Sequence, residues 1–204
     1  MIRFGLIIIL LINIPAVKAQ RFSFEFWHEG RIVLVDNDTI RGTIKYNLEN
    51  DILQYLRTDK TIETFTARKV LFFEIFDAST DRYREFYALP YALGGDYKVP
   101  VFFEVLEEGR LTLLCRERVE LRNVNPNPYF YYNNFTREVL VYSFFFLDTK
   151  GNIAEFSGNR NDLLRMMGRQ GDEVNKYMRS NKLKSDNRLD LIKIIHYYNS
   201  LFRS

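Results

Sequence analysis

The sequence predicts an α+β fold: mainly antiparallel β-sheet, either sandwich-like or one strongly curved sheet of hairpins, with a C-terminal cluster of two or three helices. Three observations lead there. From Arg21 to about Ser157 apolar residues recur with a period of two, which places alternate side chains on one face of a strand. The runs are short and joined by tight turns with no helical stretch between them, which favours antiparallel hairpins over a parallel α/β arrangement. Beyond residue 158 the period changes to 3.6, the spacing of an amphipathic helix.

Residues 1–19 have the parts of a cleavable secretory signal peptide: a basic start at Arg3, an apolar stretch from Phe4 to Ile14, and small residues at Val17-Lys18-Ala19 where a peptidase would cut. The apolar run is broken by Asn13, Pro15 and Lys18, and is shorter than the roughly 20 residues a helix needs to cross a bilayer. No transmembrane anchor is therefore expected after cleavage. Loss of this leader removes Arg3 and Lys18 and no acid, leaving 27 bases against 26 acids, a net charge of +1. A nearly neutral chain has no clustered excess of Lys and Arg, so nucleic acid is not an expected partner. The single cysteine, Cys115, allows no internal disulfide. In Leu111-Thr112-Leu113-Leu114-Cys115 it shares a face with Leu111 and Leu113, as a buried small hydrophobe would.

Residues 20–158 form the predicted β domain. Phe22, Phe24 and Phe26 alternate with Ser23, Glu25 and Trp27 as a first strand. Ile32 to Val35 then leads through the turn formers Asp36-Asn37-Asp38 into Ile40, Gly42, Ile44 and Tyr46, which alternate with Arg41, Thr43 and Lys45: a hairpin with one buried and one wet face. Further strands are predicted at Ile52 to Arg57, Thr61 to Phe65, Leu71 to Phe76 and Tyr83 to Leu89. Val101 to Leu106 and Leu111 to Val119 flank the connection Glu107-Glu108-Gly109-Arg110, and Val139 to Leu147 joins Ile153 to Phe156 through Asp148-Thr149-Lys150-Gly151. Tyr142 to Leu147 includes Phe144-Phe145-Phe146, apolar on both faces, which predicts a central strand covered on each side.

Residues 159–204 form the predicted helical segment, packed on the same domain. Asn161 or Asp162 is the expected cap of a short helix carrying Leu163, Leu164 and Met167, and Asp172 starts a second carrying Val174, Tyr177 and Met178. Ser185 is the expected cap of a third, with an apolar stripe of Leu189, Ile192, Ile195 and Phe202.

The chemistry-bearing residues are sparse. His28 and His196 lie far apart, and neither has a histidine or cysteine at metal-ligand spacing. There is no Gly-x-Ser-x-Gly elbow and no Ser-x-x-Lys pair. Gly94-Gly95 carries no phosphate-cradling pattern. No cofactor and no metal are expected. Glu104, Glu107 and Glu108 are candidates for a glycosidase-type carboxylate pair, against a simpler reading as polar positions on a hairpin strand and at its tip. The segment 123–135 joins a Pro- and Asn-rich loop to an aromatic run. Within it Tyr129, Tyr131, Tyr132, Asn133 and Asn134 are candidate ligand-binding residues, because rings and amides suit a ligand with apolar and polar faces. The competing reading is one more aromatic strand.

Three blocks carry a family resemblance: Arg31 to Tyr46, Val101 to Leu114 and Asp190 to Asn199. Together they resemble uncharacterised exported proteins of Bacteroidetes, whose similar blocks precede an outer-membrane β-barrel in longer relatives. The resemblance implies an envelope location, periplasmic or surface-associated, and assigns no activity. The expected function is a noncatalytic binding or interaction module for an envelope protein or glycan, using an exposed sheet edge or the segment 123–135. The alternatives are a carboxylate-dependent enzyme acting on envelope polysaccharide and a structural accessory of an outer-membrane assembly. Nothing in the pattern specifies an oligomeric state.

Overall fold

A computed structural model describes residues 22–123 and 136–202. The leader, and the candidate ligand residues Tyr129, Tyr131, Tyr132, Asn133 and Asn134, lie outside the described residues. Ten strands form one antiparallel sheet: β1 (His28–Leu34), β2 (Thr39–Asn47), β3 (Ile52–Leu56), β4 (Ile62–Thr66), β5 (Val70–Asp77), β6 (Arg82–Tyr91), β7 (Val99–Glu107), β8 (Leu111–Asn123), β9 (Thr136–Asp148) and β10 (Ile153–Phe156). Three helices follow, α1 (Arg160–Met166), α2 (Gly171–Ser180) and α3 (Arg188–Ser200). The spatial order is β10-β9-β8-β7-β6-β5-β1-β2-β3-β4, so nearly every neighbour in space is a neighbour in sequence. Such local pairing follows from short, turn-linked runs.

The register lets one face be followed across the sheet. Ile40, Ile32, Phe73, Phe86, Glu104, Cys115, Phe144 and Phe156 are paired in turn, one per strand from β2 to β10. All but Glu104 are apolar, and this row marks the inner face. At one end the sheet curls on itself, so that Ile32, Ile44, Leu53, Phe65, Phe73, Phe86 and Phe102, from β1 through β7, meet in a single cluster. At the other end the helices lie on the same face, where Leu163, Met167, Val174, Met178, Leu191, Ile194 and Ile195 pack on Leu113, Phe144, Phe146 and Phe156. Each fully buried aliphatic or aromatic side chain contributes about 1.5–3 kcal/mol, so these two clusters supply most of the drive to fold.

Four local expectations are corrected. Ser23–Glu25 is a 3₁₀ turn, not a strand: Phe22 and Phe24 stack with ring centroids 5.5 Å apart, and the Ser23 carbonyl is held by the His28 ring at 2.8 Å instead of by a neighbouring strand. β9 is second from an edge and not central, although both its faces are covered: Phe144 and Phe146 meet the helices, while Phe145 packs on Phe103 and Leu114 on the opposite face. The caps of α1 and α3 are Asn159 and Asn187, whose side chains accept the second and third amides of each helix. Neither Asn161 nor Asp162 caps α1, and Ser185 donates instead to the Gly158 carbonyl. The seam of α3 is Leu191, Ile194, Ile195 and Tyr198, at the i, i+3, i+4, i+7 spacing, while Leu189 and Phe202 are exposed. Isoleucines and leucines occupy so much of α3's circumference that the pattern could be read in two phases. Among the described residues no helix is long and apolar enough to cross a membrane.

Helix α3 is locked to the β7–β8 hairpin by Asn199. Its amide oxygen accepts from Leu111 N at 3.0 Å, and its nitrogen donates to the Leu111 carbonyl at 3.0 Å and to the Glu108 carbonyl at 3.3 Å. Gly109 is required beside it, since a Cβ there would sit 2.4 Å from the Asn199 amide. Asn199→Ala should lower the unfolding free energy by about 1–3 kcal/mol, because it strands buried backbone groups. Gly109→Ala should cost a comparable amount. Urea denaturation should show the double variant losing less than the sum, since truncating Asn199 removes the atoms the new methyl would strike.

Candidate functional site

The one charged position in the inner row, Glu104, opens onto a buried ionic network at the junction of the two apolar clusters. Arg84 is its centre. Its Nε donates to Glu104 Oε1 and its Nη2 to Glu104 Oε2, both at 2.9 Å, a bidentate pair. Nη2 also reaches Glu117 Oε2 at 3.1 Å, and Nη1 reaches Asp77 Oδ2 at 3.3 Å and the Tyr46 hydroxyl at 2.7 Å. Tyr46 in turn donates to Glu117 Oε1 at 2.6 Å. Arg188 from α3 reaches Glu104 Oε1 at 3.0 Å, and Arg82 lies 3.6 Å from the same oxygen. Three guanidinium groups therefore meet three carboxylates, and the charges cancel.

The protonation states follow from these contacts. Burial works against the Arg84 charge, but Glu104, Tyr46 and Glu117 more than offset it and hold the guanidinium firmly protonated. Burial, helped by Glu117, pushes the Tyr46 phenol well above its usual range despite Arg84, so it remains a donor. For Asp77, burial alone would raise the carboxyl; hydrogen bonds from the side chain of Ser23 and from the side chain and amide of Ser79, together with Arg84, hold it at about 2. Burial also pushes the Cys115 thiol up, which makes it inert.

The predicted carboxylate candidates thus separate. Glu104 is not a wet strand position: it is 2% exposed and fully engaged. Glu107 meets His196 Nδ1 at 3.0 Å at the surface, and the Glu108 backbone carbonyl accepts from Asn199. The buried acids that do come together are Glu104, Glu117 and Asp77, on three strands, around one guanidinium. Through Arg84 these contacts join β5, β6, β7 and β8. The signal for it was present in the sequence. Arg84 shares the strand phase of Phe86, Glu104 that of Phe102, and Glu117 that of Cys115, so each charge stands at a core position. His28 is buried and bonded to the carbonyls of Ser23 and Phe76. Among the described residues no group of three His, Cys, Asp or Glu could hold a metal.

A second feature arises where the sheet splits. β7 and β8 pair only from Glu104/Cys115 to Glu107/Leu113. Beyond that point β8 continues with β9 alone, and the turn between β2 and β3 enters the gap. Asp51 Oδ1 accepts from Phe102 N at 2.7 Å, while Arg116 donates to the Phe102 carbonyl at 2.7 Å and to Asp51 Oδ1 at 2.8 Å. Arg116 also holds the Leu48 carbonyl. Two side chains thereby satisfy the ladder groups that β8 abandons.

On the outer face the split leaves a cleft of about 260 Å³ lined by Glu49, Tyr91, Leu93, Arg116, Glu117, Arg118, Ser143, Phe145 and Glu155. Tyr91 meets Phe145 and Phe103 edge to face at 5.4 and 5.6 Å, which fixes its ring as a wall. Burial and the nearby Glu155 push its phenol upward. Arg118 bonds Ser143 at 2.7 Å and Glu120 at 2.6 Å across the floor. Rings, a hydroxyl, a guanidinium and exposed carboxylates on one concavity suit a ligand with both polar and apolar faces. Comparison with known proteins supplies no further guide: no family model, no curated protein and no solved structure matches the chain.

Arg84→Met should destabilise the fold by about 3–5 kcal/mol in urea, because three buried carboxylates lose their shared cation. Asp77 contributes stability that is present above the ordinary carboxylate value near 4 and is lost as pH falls through about 2. Stability should therefore fall between pH 4 and pH 2, and the fall should be shallower in Asp77→Asn.

Proposed function

We propose that this chain is a noncatalytic binding module of the cell envelope, holding a protein or glycan of that compartment on the outer face of its sheet. The observation that carries this reading is a division of labour between the faces. The buried charges of the inner face pair with one another around Arg84, with Glu117 also bordering the outer cleft, while that cleft presents Tyr91, Phe145, Arg118, Ser143 and Glu155. A concave surface of mixed chemistry suits binding. Export is part of the proposal. It is supported by the basic, apolar and small-residue order of residues 1–19.

A second reading, an enzyme acting on envelope polysaccharide, is favoured by one observation: Glu49 and Glu155, both exposed, line the same cleft. The two readings separate in a single experiment. The purified mature chain is screened on a glycan array and used for pull-down from an envelope extract, and the captured ligand is then incubated with it. Recovery of intact ligand, with binding at least tenfold weaker in Tyr91→Ala, supports the module. Shortened glycan whose production stops in Glu155→Gln supports the enzyme, and unchanged binding by Tyr91→Ala removes the cleft from either account. Native protein should begin at Gln20; a native chain that still starts at Met1 overturns the export.

A further inference from the structure

The register also defines a row on the outer face: Arg41, Arg31, Glu74, Glu85, Val105, Leu114, Phe145 and Glu155, paired in turn from β2 to β10. Its centre is apolar. Val105, Leu114 and Phe145 belong to a cluster with Leu89, Leu147 and Ile153, to which strands alone contribute; Leu114 and Phe145 are buried within it, and the half-buried Leu89, Val105, Leu147 and Ile153 form its accessible surface. Beside it a shallow hollow of about 320 Å³ is lined by Leu89, Val105, Leu147 and Glu108 among others. The stripe is bracketed by carboxylates, Glu85 and Glu108 at one end and Glu155 at the other.

The charges around the stripe are unbalanced in one direction. The arginines nearest it already have acid partners: Arg31 with Glu74, Arg116 with Asp51 and Arg118 with Glu120. Among the described residues Glu85, Glu108 and Glu155 have no cation within salt-bridge distance. Glu85 is paired directly across the strands with Glu74; its carboxyl is raised by partial burial, then by Glu74 and Glu108, despite Arg31. A cation brought to that end would relieve the repulsion. Anionic lipid and nucleic acid would add to it.

We propose that this stripe is the docking surface for a cationic polypeptide segment of a partner protein, with apolar side chains along the half-buried Leu89, Val105 and Leu147 and a Lys or Arg at each end. The inference rests on reading the outer face as the binding surface and names the partner's chemistry. From β6 to β10 the row crosses four inter-strand steps of about 4.8 Å, roughly 19 Å in all. That span fits about 13 residues of helix or about six of strand. Cation and acid at the ends set the position of the segment, and apolar burial in the middle supplies affinity.

The test uses two synthetic 14-residue peptides of identical Lys, Leu and Ala content, one with lysines at both ends around an apolar centre and one with lysines interspersed. Fluorescence anisotropy at low salt should show the bracketed peptide binding the mature chain at least tenfold more tightly than its isomer. That preference should be lost in the Glu85→Gln/Glu155→Gln double variant and retained in Glu120→Gln. Equal binding of the two isomers, or an unchanged preference in the double variant, overturns the proposal, as does tighter binding to phosphatidylglycerol vesicles than to the bracketed peptide. These variants lie on exposed or half-buried outer positions, so folding is checked independently by circular dichroism. If the peptides fail while an envelope ligand still depends on Tyr91, the outer-face reading stands and this assignment alone falls.

Discussion

The structure depends on one guanidinium. Arg84 ties β5, β6, β7 and β8 together through Asp77, Glu104 and Glu117, and reaches β2 through Tyr46. Four strands separate β2 from β8 in the sheet order, so the Tyr46 to Glu117 bond exists only because the sheet is curled. Helix α3 joins the same group through Arg188, which lies 5.0 Å above the Tyr142 ring. Taking so many charges out of water is costly, and such a network earns specificity more than raw stability. Any arrangement of the sheet that failed to bring all its members together would leave a charge buried alone.

That curl has a geometric consequence. A sheet that bends this far cannot keep every neighbouring pair in register, and the ladder between β7 and β8 parts after Glu104 and Cys115. The backbone groups of Phe102 then need other partners, and Asp51 and Arg116 supply them from a turn and from the opposing strand. The outer cleft is what the parted strands leave behind. Its walls are as firm as the core because Tyr91 and Phe145 are wedged against Phe103. Core formation and the candidate binding surface therefore share one cause.

The strands and most turns were legible because they follow from local alternation. Asp36-Asn37-Asp38 turns as its composition requires, with Asn37 at φ 69°. Less legible were elements whose conformation is set by distant partners. Phe22, Phe24 and Phe26 alternate like a strand, yet Ser23 is drawn to Asp77 at 2.6 Å and the chain turns there. Asn159 and Asn187 outcompete nearby candidate caps because Gly158, at φ 83°, and Ser185 turn the chain just before them. Of the site, Glu104 stood out as an acid, but its burial among three guanidinium groups depends on distant strands and a helix, and the cleft residues Tyr91, Arg118 and Glu155 carried no local signal.

What the sequence determined by itself is the set of hairpins, the change of period that yields the helices, and which side chains share a face within each strand. These are properties of residues two to four positions apart. The tertiary structure alone decided which face turns inward, that Glu104, Glu117 and Asp77 converge on Arg84, that β7 and β8 part, and that Glu85 and Glu155 bracket an apolar stripe. Each of these depends on register between strands far apart in the chain, where packing and the neutralisation of buried charge outweigh local preference.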